Sequence, residues 1–385
     1  MRVIVLGGDG YLGWALTLRL IARGYEVVAV DNLYTRRAVE ECGSTSALPI
    51  LNTVERAKAI KEIFDGNYKF YMADVTDYHE LYKIIEESKP DAIVHFAEQR
   101  SAPYSMRSAR HAAYTMYNNI VSTINLIYAV KEIDKNIHIV KMGTLGEYGT
   151  PNFDIPESAF VDAHINDKKD SIIVPKFANS WYHWSKVHDT NNLIFANKLW
   201  GITVTDIMQG PVYGSRTKDI RDERLFTRLD FDETWGTVLN RFCVEAVLGL
   251  PLTVYGRGGQ TRGFLSLEDS VEALARLIEH PPETGGYRVV NQFTQAYSIN
   301  ELAKIVSNAA AKLGIEVKAD HIENPRVEKE EHYYNPERKV LPSLGLSKPS
   351  VDIEDAVYEI IRDLSNYKER LEAYKEVIMP KVRWR

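Results

Sequence analysis

A glycine-rich turn near residue 7 constrains the fold of this chain more than any other stretch. The apolar run Arg2–Leu6 predicts a buried parallel strand. After it come the turn, a helix over 11–23, a strand over 26–30 and the acidic residue Asp31. Two glycine registers overlap in the turn, Gly8-x-Gly10-x-x-Gly13 and Gly7-x-x-Gly10-x-x-Gly13. This order of elements predicts a dinucleotide site, because glycines let the backbone approach a pyrophosphate at a helix N-terminus.

Asp31 also predicts which dinucleotide binds. A carboxylate at the end of the second strand accepts hydrogen bonds from the adenosine ribose and repels a 2'-phosphate, so NAD is favoured over NADP. Arg36 and Arg37 follow closely in the sequence and weaken that preference. A glycine turn that binds no ligand is the alternative.

Strands and helices alternate to about residue 210, which predicts an α/β fold built on a doubly wound parallel (Rossmann) sheet with a smaller mixed α/β C-terminal lobe. We expect the first domain to be 1–210, with 264–297 returning to it, and the second lobe to be 211–263 and 298–385. Residues 34–66 are expected to form a loop and then a helix over 54–64. The charge-rich stretch 217–229 predicts a solvated or lid-like segment. Residues 253–263 predict a glycine-rich hairpin, and 353–371 a single helix near the end of the chain.

Of the 22 tyrosines, only Tyr182 has a lysine, Lys186, four residues later. The surrounding segment, 180–199, predicts a helix, on which this spacing places both side chains on one face. A free phenol is a poor base at neutral pH, and a nearby ammonium stabilises its phenolate. The pair therefore indicates a base that removes a proton from a hydroxyl while a hydride leaves the same carbon. A surface tyrosine beside a solvated lysine is the alternative for this motif taken alone.

Composition excludes several classes of function. The formal charge of −6 argues against nucleic acid as the main partner. The two cysteines, Cys42 and Cys243, lie far apart and indicate neither a disulfide framework nor a zinc site, and we expect no metal. No apolar run approaches the roughly 20 residues that span a bilayer, and no targeting segment is recognisable, so we expect a cytoplasmic protein without a membrane partner.

Several polar residues follow predicted strands, where open sheets bind ligands. Arg100 is a candidate for a phosphate, with a surface ion pair as the alternative. Thr144 suits a sugar hydroxyl, and Glu147 is a carboxylate near the same pocket. Asp74 would meet the adenine amino group or cap a helix. Asn119, inside the predicted helix over 109–132, would contact substrate or satisfy neighbouring groups.

Three arginines come from separate parts of the second lobe. Arg241, Arg262 and Arg326 together would clamp a diphosphate with paired hydrogen bonds. Any one of them alone is more often an ordinary surface arginine.

Together these features resemble the extended short-chain dehydrogenase/reductase family that acts on nucleotide sugars, over nearly the whole chain. The features are the glycine turn, Asp31, Asp74-Val75, Thr144, the Tyr182/Lys186 pair and the hairpin segment 258–263. Within that family, four stretches are most similar to the branch that joins sulfite to UDP-glucose. They are residues 94–106, 143–152, 182–189, and 324–328 together with 331–335.

The resemblance implies an enzyme that converts UDP-glucose and sulfite to UDP-sulfoquinovose, with a tightly held NAD that is recycled and a classification among hydrolases of C–S bonds. Tyr182, helped by Lys186, would deprotonate the C4 hydroxyl, and Thr144 would orient the C4 oxygen. Glu147 and His183 would serve the elimination across C5 and C6. A packed or capping histidine is the alternative for His183.

The resemblance also implies two sets of binding residues. The cofactor set is Gly7, Gly10, Tyr11, Leu12, Gly13, Asp31, Asn32, Arg36, Asp74, Val75, Phe96, Tyr182 and Lys186. The substrate set is Arg100, Asn119, Thr144, Gln209, Arg241, Tyr255, Gln260, Arg262 and Arg326.

Three other functions stay open at this point. A 4-epimerase would share the cofactor and the Tyr182/Lys186 pair. A 4,6-dehydratase carries an Asp-Glu pair after its threonine, where this chain has Leu145-Gly146. A non-catalytic NAD-binding sensor would need neither the pair nor Thr144. The resemblance further implies a homodimer that pairs through the helices of Asn119 and Tyr182.

Overall fold

The computed structural model describes residues 1–329 and 331–384, and a seven-stranded parallel sheet forms its centre. Its strands lie in the order β12-β8-β5-β4-β1-β2-β3, which confirms the predicted doubly wound fold. The strands of the described residues are β1 (Arg2–Leu6), β2 (Glu26–Asp31), β3 (Tyr68–Met72), β4 (Ala92–His95), β5 (His138–Thr144), β6 (Phe160–Ile165), β7 (Lys168–Ile173), β8 (Val204–Gln209), β9 (Val212–Tyr213), β10 (Leu252–Tyr255), β11 (Thr261–Ser266), β12 (Tyr287–Gln292), β13 (Gln295–Ser298) and β14 (Ala319–Ile322).

Helices cover both faces of this sheet and build the second lobe. They are α1 (Tyr11–Ala22), α2 (Tyr34–Glu41), α3 (Thr53–Phe64), α4 (Tyr78–Ser88), α5 (Ala102–Ser105), α6 (Ala109–Ile133), α7 (Trp181–Trp200), α8 (Val238–Val247), α9 (Leu267–Glu279), α10 (Ile299–Lys312), α11 (Val340–Ser343), α12 (Ile353–Ser365) and α13 (Lys368–Glu372). None of the described helices is both long and apolar enough to cross a membrane.

The parallel register brings the ends of distant strands together. Leu6 of β1 pairs with His95 of β4, and Thr144 of β5 pairs with Gln209 of β8. Because all seven strands run the same way, the loops that follow these residues leave one edge of the sheet. That edge is where the sequence places its candidate ligand residues.

The glycine-rich stretch 253–263 is not a hairpin, which corrects the prediction. β10 pairs in parallel with β14, whereas β11 pairs with β13 and β9. Between them Gly256 and Gly258 have φ values of 63° and 73°, a conformation that favours glycine. This turn directs β11 away from β10 and into a different sheet.

The charge-rich segment 217–229 is not a solvated lid, which is a second correction. Its apolar residues interrupt the charges and pack into the main core, where Leu225 and Leu229 are fully buried. Trp14 of α1 donates to the Leu225 carbonyl oxygen at 2.8 Å. The Thr227 hydroxyl donates to the backbone oxygen of Tyr11, also at 2.8 Å. The segment therefore lies against the helix that follows the glycine turn.

Other elements differ from the sequence-based expectation more modestly. Residues 34–41 form α2 where a loop was expected, and β6 and β7 form an antiparallel hairpin that the pattern did not indicate. The expected last helix divides into α12 and α13. β12 pairs with β8, so the chain returns to the main sheet within residues 264–297, as expected. The domain boundaries themselves stay a prediction.

Candidate active site

One cavity of about 420 Å³ runs along the carboxyl edge of the sheet. The glycine turn and Asp31 line one end, Tyr182 and Lys186 line the middle, and the three arginines line the other end. The cavity wall thus joins residues that are more than 300 positions apart in the sequence. Such a concave site at the end of parallel strands is where this class of sheet binds ligands.

The glycine turn is too tight for side chains and suits a pyrophosphate. Gly7 has a φ of 83°, and a Cβ there would come within 2.7 Å of the Phe96 backbone. A Cβ on Gly13 would lie 2.0 Å from the Gly7 carbonyl oxygen. Asp31 lines the cavity and accepts from the backbone nitrogens of Asp9 and Leu33. Burial and the nearby Asp9 raise the pKa of Asp31 to about 6. These residues fit an adenosine ribose and a diphosphate.

Arg36 and Asp74 do not line this cavity, which corrects their predicted contacts with the cofactor. Arg36 makes two hydrogen bonds of 2.7 Å to the Asp9 carboxylate. The Asp74 carboxylate accepts from the Asn32 amide and from the backbone and hydroxyl of Thr76. Both side chains therefore bind protein groups, and the effect of Arg36 on the preference for NAD stays a prediction.

The other predicted cofactor residues lie on the cavity wall. They are Gly10, Tyr11, Leu12, Asn32, Val75 and Phe96, together with the glycines and Asp31 described above. The Tyr11 hydroxyl donates to the Gly214 carbonyl oxygen at 2.7 Å, which connects the first turn of α1 to the second lobe.

Helix α7 holds the candidate catalytic pair, Tyr182 and Lys186. The Ser180 side chain caps its first turn and Gly201 ends it with a φ of 68°. The Lys186 ammonium donates to the Met142 carbonyl oxygen at 2.7 Å and lies 5.9 Å from the centre of the Tyr182 ring. Burial lowers the pKa of Lys186 to about 8, and burial together with Glu147 raises the pKa of Tyr182. The two side chains share one face, as the spacing predicted.

Thr144 and His183 also line the cavity beside this pair. The Thr144 hydroxyl oxygen accepts from the Gly146 nitrogen at 3.1 Å, which leaves its proton available to a ligand. The Nδ1 atom of His183 lies 2.8 Å from the Ser180 hydroxyl. Burial, with Arg326 and Arg262, lowers the pKa of His183 to about 3, so the ring is neutral. The same ring covers Gly146, where a Cβ would meet Nε2 at 2.5 Å.

Glu147 lies behind the cavity wall, which contradicts its predicted contact with substrate. Its side chain is fully buried and contacts the Lys176 ammonium at 2.5 Å and the Lys141 ammonium at 3.4 Å. It also accepts from the backbone nitrogen of Thr144 at 3.2 Å. The carboxylate therefore supports the loop that carries Thr144 and does not face the reacting sugar.

Asn119 is likewise absent from the cavity wall, and its alternative reading is the correct one. The Asn119 amide binds both the backbone nitrogen and the carbonyl oxygen of Gln99, and it donates to the Ser185 hydroxyl at 2.8 Å. It ties the loop after β4 to α7. Its neighbour Asn118 lines the cavity instead.

The arginine cluster (Arg241, Arg262 and Arg326) lines the cavity, and two of its members, Arg241 and Arg326, lie over the Tyr255 ring. Arg241 lies over the Tyr255 ring at 4.6 Å and donates to the Thr253 carbonyl oxygen at 3.3 Å. Arg262 pairs with Glu328 at 2.8 Å. Arg326 lies 6.0 Å from the Tyr255 ring centre and has no ion pair with any residue that the structure describes. The predicted cationic clamp is therefore assembled, and its binding role stays a prediction.

Arg100, Gln209 and Gln260 complete the predicted substrate set on the cavity wall. Arg100 pairs with the buried carboxylate of Asp230 and lies 5.5 Å from the centre of the Trp235 ring. The Gln209 amide nitrogen donates to Ser270 and Gln292. These contacts hold the side chains in place before any ligand arrives.

Sequence reasoning missed several residues of the wall. Glu98, Trp235, Thr237, Glu328 and Trp384 all line the cavity. Glu98 follows β4 at the ligand edge and was recognisable by that position. The others come from turns whose place in the fold no local pattern indicates.

Comparison with known proteins agrees with this geometry. Residues 3–291 match the NAD dependent epimerase/dehydratase family, and the chain belongs to that family, whose cofactor is NAD. Over its whole length the chain is 59% identical to UDP-sulfoquinovose synthase of Sulfolobus acidocaldarius, of which it covers 98%. It is 44% identical over its whole length to the chloroplastic UDP-sulfoquinovose synthase of Spinacia oleracea, of which it covers 79%.

A solved structure confirms the fold at lower identity. The UDP-glucose 4-epimerase of Stenotrophomonas maltophila, solved with NAD and a formylated UDP-arabinopyranose, is 19% identical and superimposes with a TM-score of 0.72. The match covers 97% of this chain and 99% of the epimerase chain. At this identity the likeness establishes the architecture only.

Proposed function

We propose that this chain is a UDP-sulfoquinovose synthase, which converts UDP-glucose and sulfite to UDP-sulfoquinovose and water. The observation that carries the proposal is the 59% identity over the full chain to a synthase of that name. The cavity supports it, because one space holds a dinucleotide end, a catalytic pair and a cationic end suited to a diphosphate. A 4-epimerase and a 4,6-dehydratase are the alternatives.

The first step uses the residues in the middle of the cavity. Bound NAD supplies a reversible hydride acceptor for the sugar C4. Tyr182 takes the proton of the C4 hydroxyl, and the Lys186 ammonium stabilises the phenolate that results. The free hydroxyl proton of Thr144 donates to the C4 oxygen and orients the ring. The product of this step is a 4-keto sugar, whose C5 proton is acidic.

The second step removes the C5 proton and the C6 hydroxyl as water. Leu145 and Gly146 stand where a dehydratase has its acid and base, and Glu147 faces away from the cavity. His183 lines the cavity beside the pair, with Nδ1 2.8 Å from the Ser180 hydroxyl and its ring against Gly146, and it is the base that we propose for this step. Burial is the main cause of the lowered pKa of His183, and a bound diphosphate would offset the smaller contribution of Arg326 and Arg262, which makes the imidazole a better base.

The third step adds sulfite to the enone at C6. The sulfur lone pair forms the C–S bond, C5 takes back a proton, and the hydride and the hydroxyl proton return to C4 and its oxygen. The hydride taken from C4 returns to C4, so no net reductant is consumed, and one water leaves for each sulfite added. Arg100 contributes a cation near this part of the wall, next to Trp235, for the substrate phosphate or the incoming anion.

The decisive experiment mixes the purified protein with UDP-glucose, with and without sulfite, and reads products by mass spectrometry. We expect a UDP-sulfohexose that forms only with sulfite. UDP-galactose formed regardless of sulfite would establish an epimerase, and a 6-deoxy-4-keto sugar would establish a dehydratase. Bound NAD without any turnover would point to a missing sulfur donor or to the non-catalytic sensor.

We further propose a homodimer that pairs through α6 and α7. Tyr117, Ile124 and Tyr128 form an exposed apolar stripe on α6, and Phe195 and Leu199 continue it on α7. Water-exposed apolar area of this kind is typical of an interface. Sedimentation velocity should give a dimer mass, and F195K/L199K should give a monomer. A stable wild-type monomer at low concentration would contradict the proposal.

A further inference from the structure

The catalytic pair has a third member that the proposed mechanism does not use. The Lys186 ammonium contacts the Glu98 carboxylate, and the two side chains are only 4% and 1% exposed. Glu98 follows β4, so the sheet brings it beneath α7 from a separate part of the chain. A charge pair this deeply buried is held together by strong mutual attraction, because neither charge has water to solvate it.

Lys186 is the only cation that compensates Glu98 among the described residues. The Nε2 atom of His95 lies 3.4 Å from the carboxylate, but burial lowers the pKa of His95 to about 3, and its ring is neutral. No other hydrogen bond reaches either Glu98 oxygen in the described part of the chain. The neighbouring buried lysine, Lys141, has carboxylates of its own in Glu147 and Asp206.

Other charged groups face Lys186 less directly. Those that act on it or pack around it are Asp189 and Tyr182 of α7, Asp206 of β8, Lys141 of β5 and His95 of β4. Asp189 is the other carboxylate on the same helix, and it makes no ion pair with Lys186 within 4 Å in the described structure. Burial raises the pKa of Asp189 to about 7, so it is a weaker counter-charge than a fully ionised group.

We propose that Glu98 is a positioning residue of the catalytic site, which fixes the Lys186 ammonium beside Tyr182 and keeps it charged. The Met142 carbonyl oxygen and the Glu98 carboxylate hold the ammonium between them. Without the carboxylate, a fully buried lysine loses its proton more readily. A neutral amine no longer stabilises the Tyr182 phenolate, so C4 oxidation slows. The catalytic use of the pair rests on the proposed function.

The first test follows the pH dependence of C4 oxidation. UDP-glucose is mixed with the NAD-loaded protein without sulfite, and the absorbance rise at 340 nm is recorded from pH 6 to 10. In Glu98→Gln we expect the high-pH limb to move down by about one to two pH units, because the opposite charge beside Lys186 is gone. Glu98→Asp should restore most of the wild-type profile. An unchanged limb in Glu98→Gln would overturn the proposal.

Asp189→Asn is the matched control, because it removes another buried carboxylate that acts on the same ammonium without an ion pair to it. We expect a much smaller movement of the limb in this variant. If Asp189→Asn moved the high-pH limb of the profile as far as Glu98→Gln does, removal of any buried carboxylate near Lys186 would explain the shift. The Glu98 contact would then have no special role.

A second test does not depend on turnover. Loss of the Glu98 charge in Glu98→Gln should lower the pKa of the buried Lys186 further from its wild-type value of about 8, whereas in the unfolded chain it is the ordinary 10.5. Between these values the unfolded chain binds more protons than the folded one, so stability rises with pH. We expect the Tm of Glu98→Gln to begin climbing at a lower pH than that of the wild-type protein, and that of Glu98→Gln/Lys186→Met to stay flat. A climb that begins at the same pH in Glu98→Gln and in the wild type would refute the inference.

The two proposals fail in different ways. A wild-type protein that never forms a sulfosugar would defeat the proposed function, yet both pH measurements on Glu98 would still stand. A sulfite-dependent product together with an unaltered Glu98→Gln profile and slope would defeat the Glu98 inference alone.

Discussion

The two ends of the cavity are built in opposite ways. The dinucleotide end comes from residues 7–13 and Asp31, which are close in sequence, and its essential groups are backbone atoms. The other end comes from Arg241, Arg262 and Arg326, which lie on separate elements and act through side chains. The dinucleotide end is a tight backbone turn with no room for side chains. The arginine end is a set of charged side chains and their partners.

This difference determines how each end responds to substitution. At the glycine turn an added methyl group collides with main-chain atoms that have no room to move. At the arginine cluster a lost guanidinium leaves a partner such as Glu328 buried without its cation. No nearby substitution can relieve a collision in the glycine turn. Loss of a guanidinium, by contrast, can be compensated by also replacing its carboxylate partner.

The largest expected effect is at Tyr182, in the middle of the cavity between the two ends. Tyr182→Phe removes the phenol that takes the C4 proton, and we expect kcat to fall about a thousand-fold, within the range for loss of a general base. NAD content and Tm should stay near wild-type values, because the ring and its packing remain. Product analysis by mass spectrometry gives the rate. Wild-type turnover in this variant would show that the two ends do not share this reacting centre.

Gly13→Ala should be nearly as damaging and should act on the dinucleotide end alone. The added Cβ would lie 2.0 Å from the Gly7 carbonyl oxygen, so the turn must open. We expect loss of bound NAD and a lower Tm of the nucleotide-free protein. Gly10→Ala is the control, since its Cβ would meet the same oxygen at 3.3 Å, and its nucleotide-free Tm should change far less. Equal Tm values for the two variants would show that the turn is not rigid.

The arginine cluster should show the opposite behaviour. Arg262→Ala and Arg326→Ala should each raise KM for UDP-glucose about ten- to a hundred-fold, as expected for loss of a charge-assisted hydrogen bond. Only Arg262→Ala should also lower stability, because Glu328 loses its partner at 2.8 Å. Arg262→Ala/Glu328→Gln should recover the Tm without recovering KM. If Arg262→Ala/Glu328→Gln were as unstable as Arg262→Ala, the lost stability would not come from the unpaired Glu328, and the contrast between the two ends would fail.

How far the sequence predicted each end follows from the same contrast. The glycine turn, Asp31 and the doubly wound sheet were predictable, because the chemistry of adjacent residues fixes them. Helical spacing predicted that Tyr182 and Lys186 share one face, and the dinucleotide motif elsewhere in the chain favoured a catalytic use of the pair. The sheet order then brought Thr144 and Gln209 to the same edge, in register.

The sequence did not predict the direction of side chains whose partners are distant in the sequence. Glu147 has the right position in the loop after β5, yet buried Lys141 and Lys176 draw its carboxylate into the core. Asn119 and Asn118 are adjacent, and only the packing of α6 on α7 decides which of them faces the cavity. The segment 217–229 looked solvated because its charges outnumber the few apolar residues that bury it.

The smallest expected effect tests the titration of Asp31 at the dinucleotide end. Burial and Asp9 raise the pKa of Asp31 to about 6, so its carboxylate is ionised above this pH and neutral below it. Ionised Asp31 accepts from the ribose hydroxyls and repels a 2'-phosphate. Preference for NAD over NADP should therefore be full at pH 8 and weaken several-fold as the pH falls through about 6 toward 5.

Calorimetric titration of nucleotide-free protein with NAD and with NADP at both pH values measures this preference directly. Asp31→Asn should show a low preference that no longer depends on pH, because its amide carries no charge at either value. A wild-type preference that is equally strong at pH 5 and pH 8 would mean that the glycine turn and the ribose pocket select NAD by shape alone. The dinucleotide end would then be a purely steric site, and its contrast with the arginine cluster would be complete.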